Sequence, residues 1–130
     1  MKLRNTITIT ILMLLAGATT IQAQPNAILS VTDFEKEVTS KNEKIILDVR
    51  TPSEYKSGHL AEAKLMNVND ENFKQQISVL QKDKPVYVYC AAGVRSNKAA
   101  KILRQEGFTN VFELSGGIQA WQAAGKPVVK

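Results

Sequence analysis

The sequence predicts an α/β fold in which a parallel sheet carries helices on both faces. Two observations predict it. Ile45-Ile46-Leu47-Asp48-Val49, Val86-Tyr87-Val88-Tyr89 and Val111-Phe112-Glu113-Leu114 are nearly continuous apolar runs rather than alternating ones, as expected of strands covered on both sides. Between them lie segments of helical period, and such alternation calls for crossover connections and hence parallel pairing. With 130 residues, 44% hydrophobic and 22% charged, the chain suits one packed domain and excludes collagen-like, low-complexity and wholly disordered classes.

Residues 1–23 have the shape of a secretory signal peptide. Lys2 and Arg4 precede a thirteen-residue stretch, Thr6 to Ala18, of apolar residues and threonines that ends in small side chains. A membrane-spanning helix needs about 20 apolar residues, so cleavage is expected rather than retention. The preferred cut follows Ala23, with Ala18 as a second candidate. Residues 24–29 are expected to be a short linker, and residues 30–130 the folded domain.

Within that domain, Thr32 and Glu35 have capping-box spacing, and Phe34 and Val38 share a helical face, so a first helix is expected from Thr32. The strand at 45–49 follows. Thr51-Pro52-Ser53-Glu54 is a second capping box with proline at the first helical position. Phe73, Ile77 and Leu80 give a helix over 71–81. After the strand at 86–89, Ala99, Ala100, Ile102 and Leu103 give another over 96–106, stopped by Gly107. The strand at 111–114 precedes a short helix over 117–124, with Gly125 as its stop.

The formal charge of +5 falls to +3 once Lys2 and Arg4 leave with the leader. The remaining lysines are scattered, and aromatics make up only 6% of the chain, so a solvated basic surface is expected and no nucleic acid partner. The single cysteine, Cys90, excludes an intramolecular disulfide and a Cys-rich metal site. It is then either a buried inert side chain or a reactive thiol.

Its position favours reactivity. In open parallel sheets ligands gather at the carboxyl ends of the strands, where Asp48-Val49-Arg50, Cys90 to Ser96 and Ser115-Gly116-Gly117 all arrive. Cys90 ends a buried strand and is followed by Ala91-Ala92-Gly93-Val94-Arg95-Ser96 and a helix. Small residues let this turn curl, Gly93 is free to adopt positive φ, and the inward N–H groups form an anion cradle that favours the thiolate.

These motifs resemble those of the single-domain rhodanese-like sulfurtransferases over about Ser30 to Ala124. The resemblance rests on Asp48-Val49-Arg50 with Pro52, Glu54 and Tyr55; on Gly58-His59-Leu60 with Ala63; on Cys90 to Ser96; and on Leu114-Ser115-Gly116-Gly117 with Trp121. It implies a five-stranded, mostly parallel sheet and transfer of sulfane sulfur through a Cys90 persulfide. Four residues separate Cys90 from Arg95, where related phosphatases keep five, so the loop resembles the sulfurtransferase form.

The resemblance makes Cys90 catalytic and Ala91, Ala92, Gly93, Val94, Arg95 and Ser96 the substrate-binding loop. Asp48, Arg50 and Glu54 are expected as supports. Arg95 either contacts the donor or folds back onto a carboxylate such as Glu54 and braces the loop. Ser96 is expected to cap its helix, Phe112 and Trp121 to lie in the core, and His59 to be a structural hydrogen-bonder rather than half of a Cys–His dyad. Ala91 and Ala92 stand where many thiosulfate-using relatives carry a cation, which shifts the expected donor toward a persulfide or polysulfide.

No cofactor and no metal is expected. The expected partners are a small-molecule or protein persulfide as sulfur donor and a thiol or cyanide as acceptor. The mature chain is expected to be an exported monomer, periplasmic or secreted, without stable membrane insertion. A redox-sensing or docking module using the same thiol is the alternative, and an anion-binding or phosphatase-like protein a third reading.

Overall fold

The computed structural model describes residues 26–130 and, ahead of them, Gly17, so the signal-peptide reading lies outside the described residues. Five strands form one sheet: β1 (Asn26–Leu29), β2 (Ile45–Asp48), β3 (Lys64–Leu65), β4 (Val86–Tyr89) and β5 (Val111–Leu114). Their order is β1-β5-β4-β2-β3, and every pairing between them is parallel. The helices are α1 (Val31–Ser40), α2 (Pro52–Ser57), α3 (Phe73–Ile77), α4 (Val94–Gln105) and α5 (Gly117–Ala123).

The sheet divides the core in two, which accounts for the continuous apolar runs. Ile45, Leu47, Val86, Val88 and Val111 pack with Phe73 and Ile77 of α3 and with Ala99, Ala100 and Leu103 of α4. Ile46, Tyr87, Tyr89 and Leu114 point the other way, onto Phe34 and Val38 of α1 and Ile118 and Trp121 of α5. Successive strand residues serve opposite layers, so β2 and β4 are buried at every position.

The structure corrects four local expectations. The linker expected at 24–29 contains a strand: Asn26 to Leu29 run beside Val111 to Leu114, with Asn26 Oδ1 accepting from Val111 N. This edge strand is only half covered, so it lacks the continuous apolar signature that marks the central ones. Helix α1 starts at Val31, capped by Ser30, whose Oγ accepts from Asp33 N at 3.2 Å; Thr32 lies inside the first turn. Helix α3 is confined to Phe73–Ile77, because Ser78 directs both its backbone N–H and its hydroxyl to Gln75 O and so ends the helix locally. Helix α4 begins at Val94, which places Ser96 inside it.

The capping box of α2 is present with both reciprocal bonds. The chain end closes on this region, where His59 and Val129 exchange backbone hydrogen bonds of 2.9 Å.

Candidate active site

Strand β4 delivers Cys90 to the carboxyl edge of the sheet, and Gly93 turns the chain into α4. Gly93 has φ +112°, which a side chain would strain, and this turn aims the loop's N–H groups inward. Gly93 N lies 3.1 Å from Cys90 Sγ. Ser96 Oγ lies 3.4 Å from the sulfur and donates to Gly93 O at 3.1 Å. Ser96 is thus not the helix cap expected of it: it is fully buried and ties the sulfur to the loop. Its single hydroxyl proton can turn from Gly93 O to a thiolate.

Burial of Cys90 pushes its thiol up, but hydrogen bonds from the Ser96 hydroxyl and from the Ser96, Gly93 and Ala92 backbones outweigh burial. The net effect is a thiol held below its ordinary value. Around an apolar strand end the structure therefore favours the nucleophilic form.

A second element fixes the loop from outside. Ile118 N donates to Cys90 O at 2.9 Å, and Gln119 N donates to Ala91 O at 3.1 Å, so the first turn of α5 draws these carbonyls away from the sulfur. The approach requires Gly117, since a Cβ there would stand 2.5 Å from Cys90 O. The paired glycines mark a segment that reaches the site, but nothing in their spacing says which carbonyls it will meet.

Arg95 turns to Glu54, with Nη1 and Nη2 donating to the two carboxylate oxygens at 2.9 and 3.2 Å. This pair holds the Glu54 carboxyl below its usual range, first through the hydrogen bond and then through the charge of Arg95. Arg95 thereby braces the loop against α2.

Asp48 and Arg50 form a buried pair beneath the site. Arg50 Nη2 donates to Asp48 Oδ2 and to Gly58 O, both at 2.7 Å, and Arg50 Nε donates to Asp48 Oδ1 at 2.9 Å. Tyr89 completes the group, donating to Asp48 Oδ2 at 2.6 Å and accepting from Leu60 N at 3.0 Å. Its part is invisible in the sequence, where Tyr89 reads only as one more strand residue. The network satisfies both charges without reaching Cys90, so it positions strand ends rather than reactants.

His59 sits apart from the thiol's hydrogen bonds. Its ring stacks on Tyr55 with centroids 3.6 Å apart, and Nδ1 lies 2.9 Å from Tyr55 O. Trp121 is in the core with Nε1 donating to Pro127 O, and Phe112 is partly buried against Tyr87.

A cavity of about 410 Å³ adjoins the loop at Ala92, Gly93 and Val94. A larger one of about 510 Å³, floored by Tyr87 and Phe112, lies beside α1 and includes no loop residue. Cys90 lines neither cavity. Among the described residues no group of three or more His, Cys, Asp or Glu side chains could hold a metal ion.

The family model for the Rhodanese-like domain matches residues 30–124. The uncharacterized protein YqhL of Bacillus subtilis is 41% identical over 76 residues, 58% of this chain and 59% of that protein. The thiosulfate sulfurtransferase GlpE of Shewanella oneidensis is 34% identical over 96 residues, 74% of this chain and 92% of that protein. The crystal structure of a rhodanese-related protein from Thermoplasma volcanium superposes with a TM-score of 0.70 at 30% identity, covering 79% of this chain and 97% of that one.

Proposed function

The chain belongs to the rhodanese-like domain family, and we propose from that premise that it is a sulfurtransferase working through a persulfide on Cys90. One observation carries the reading: the chain's single thiol lies in a turn whose N–H groups and buried serine hydroxyl favour its anion. The relatives named as thiosulfate sulfurtransferase or sulfurtransferase support the same class of chemistry.

In the first half-reaction the Cys90 thiolate attacks the outer, sulfane sulfur of a donor. The new Sγ–S bond forms as the bond between that sulfur and the rest of the donor breaks, and the donor remainder leaves with the electron pair. The resulting persulfide anion keeps one negative charge, which the loop's N–H groups and Ser96 stabilise without reorganising. In the second half-reaction a thiolate or cyanide attacks the terminal sulfur and Cys90 leaves as thiolate. No electrons enter or leave overall, so the cycle needs no redox cofactor.

Arg95, held by Glu54, keeps the loop open around the larger persulfide. Asp48, Arg50 and Tyr89 keep the strand ends that carry it in register. The leader-like shape of residues 1–23 supports export, so the proposed setting is periplasmic, the proposed unit a monomer, and the proposed partners a sulfane donor and a thiol acceptor.

Steady-state sulfur transfer to cyanide, read as thiocyanate, tests the assignment. Turnover with a sulfane donor that disappears in Cys90→Ala is expected. Turnover by Cys90→Ala at the wild-type rate would overturn it.

A further inference from the structure

The apolar run of β5 is broken by one carboxylate, Glu113, which is buried at 4% exposure. Two residues of α4 reach it. Asn97 Nδ2 donates to Glu113 Oε1 at 3.3 Å, and Arg104 Nη2 lies 3.6 Å from Glu113 Oε2. Arg104 supplies counter-charge without a close hydrogen bond, since its Nη2 also donates to Val111 O and its buried Nε has no partner among the described residues. Asn97 in turn closes the first turn of α4: its backbone N–H donates to Gly93 O at 3.2 Å, and Ser96 Oγ donates to the same carbonyl at 3.1 Å. A carbonyl oxygen accepts both. When the Ser96 hydroxyl turns to the Cys90 thiolate, 3.4 Å away, Asn97 N–H keeps Gly93 O satisfied. Without that N–H the carbonyl would hold the hydroxyl, and the thiolate would lose it. Asn97 lies about 200° around the helix from Arg95, so its contact with Glu113 braces the flank opposite the Arg95–Glu54 pair.

We propose that Glu113 is a positioning residue for Cys90: by holding Asn97 it fixes the first turn of α4, so that Asn97 N–H secures Gly93 O and the Ser96 hydroxyl is free to serve the sulfur. The inference rests on the sulfur-transfer reading and adds to it the buried carboxylate that sets the hydrogen bonding of the loop. The other charges around the loop are paired among themselves, Arg95 with Glu54 and Arg50 with Asp48. A direct effect of the Glu113 charge on the sulfur has the opposite sign, because a nearby anion disfavours a thiolate. Positioning therefore predicts a less reactive thiol when the contact is lost, and direct repulsion predicts a more reactive one.

The test is the rate of Cys90 alkylation against pH, with the folding of each variant checked by thermal unfolding. Asn97→Ala removes the amide without a change of charge and keeps a good helix former at the position. It is expected to alkylate about fivefold more slowly than the wild type below the midpoint, the worth of one ordinary hydrogen bond, with the high-pH plateau unchanged. Glu113→Gln and Glu113→Leu lose the same charge, but only glutamine keeps an acceptor for Asn97. The leucine variant is therefore expected to be about fivefold slower than the glutamine variant. In a Ser96→Ala background both differences are expected to vanish. Wild-type kinetics in Asn97→Ala, a change confined to the plateau, or an effect that persists undiminished without the Ser96 hydroxyl would overturn the positioning, and these measurements decide it whether or not the Glu113 variants fold. Equal rates for folded Glu113→Gln and Glu113→Leu would overturn it as well. Failure of every sulfur donor to load wild-type Cys90 would instead remove the sulfur-transfer reading and leave the shifts in thiol reactivity standing.

Discussion

Ser96 shows how one side chain sets the chemistry of another. Among the hydrogen bonds that offset the burial of Cys90, that of the Ser96 hydroxyl contributes most, and its backbone N–H adds a second. Replacing it by alanine removes the hydroxyl and keeps the helix. The rate of Cys90 alkylation against pH is therefore expected to have its midpoint below the ordinary thiol value of about 8.5 in the wild type and to move upward in Ser96→Ala. An unchanged midpoint would assign the effect to the backbone alone. Glu54 supplies a second test with a definite sign. Its carboxyl is held low by Arg95, so the pair contributes above the unfolded carboxylate value and that contribution is lost as pH falls through the folded one. The Glu54 side chain is 38% exposed, so solvent screening limits the stabilisation to under about 1 kcal/mol. Glu54→Gln is expected to lose that small increment at pH 7 and to show a weaker acid dependence below pH 5, by thermal unfolding.

At the scale of elements, the site is the meeting of α4 and α5 over one strand end. Gly117 is where they touch. Gly117→Ala must relieve both a φ of +61° and a Cβ 2.5 Å from Cys90 O, whereas Gly125→Ala meets only a φ of +74° with open space around it. The first is expected to cost about 2 kcal/mol more than the second, because the positive φ, worth about 1–2 kcal/mol, is common to both and the backbone clash is not. Denaturant unfolding of the two variants gives the difference, and Cys90 loading is expected to fall only in the first. Equal costs would mean that α5 does not clamp the loop. The central elements were legible because burial on both faces leaves a mark in the chain: Val86 to Tyr89 are apolar without a break and every one is buried. Edge elements leave no such mark. Asn26 to Leu29 alternate between exposed and partly covered, and Lys64–Leu65 contribute two residues whose pairing is set by β2 rather than by their own sequence. Helix starts depended on which of several capping residues won. Thr51 had its partner Glu54 in place, while Ser30 displaced Thr32 by holding Asp33 N.

At the scale of the molecule, the strand order β1-β5-β4-β2-β3 puts β4 at the centre, between two parallel neighbours, and so places Cys90 where three strand ends and two helices converge. The sequence places the thiol at a strand-to-helix turn, which depends on local spacing, and the preference of arginine for bidentate carboxylate pairing offers Glu54, 41 positions away, as one partner for Arg95. It does not contain the group formed by Asp48, Arg50 and Tyr89, the α5 amides on the loop carbonyls, or the cavity between Ile28 and Val94. The hydrogen bonds among these join residues up to 41 positions apart, and all of these features exist only once the sheet has formed. We propose that this convergence makes Cys90 a sulfur carrier, and intact mass after exposure to a sulfane donor reads that carriage on the chain itself. A gain of one sulfur atom per chain, removed by an acceptor thiol and absent in Cys90→Ala, is the result the geometry predicts. An unchanged mass with thiosulfate, persulfide and polysulfide alike would contradict it.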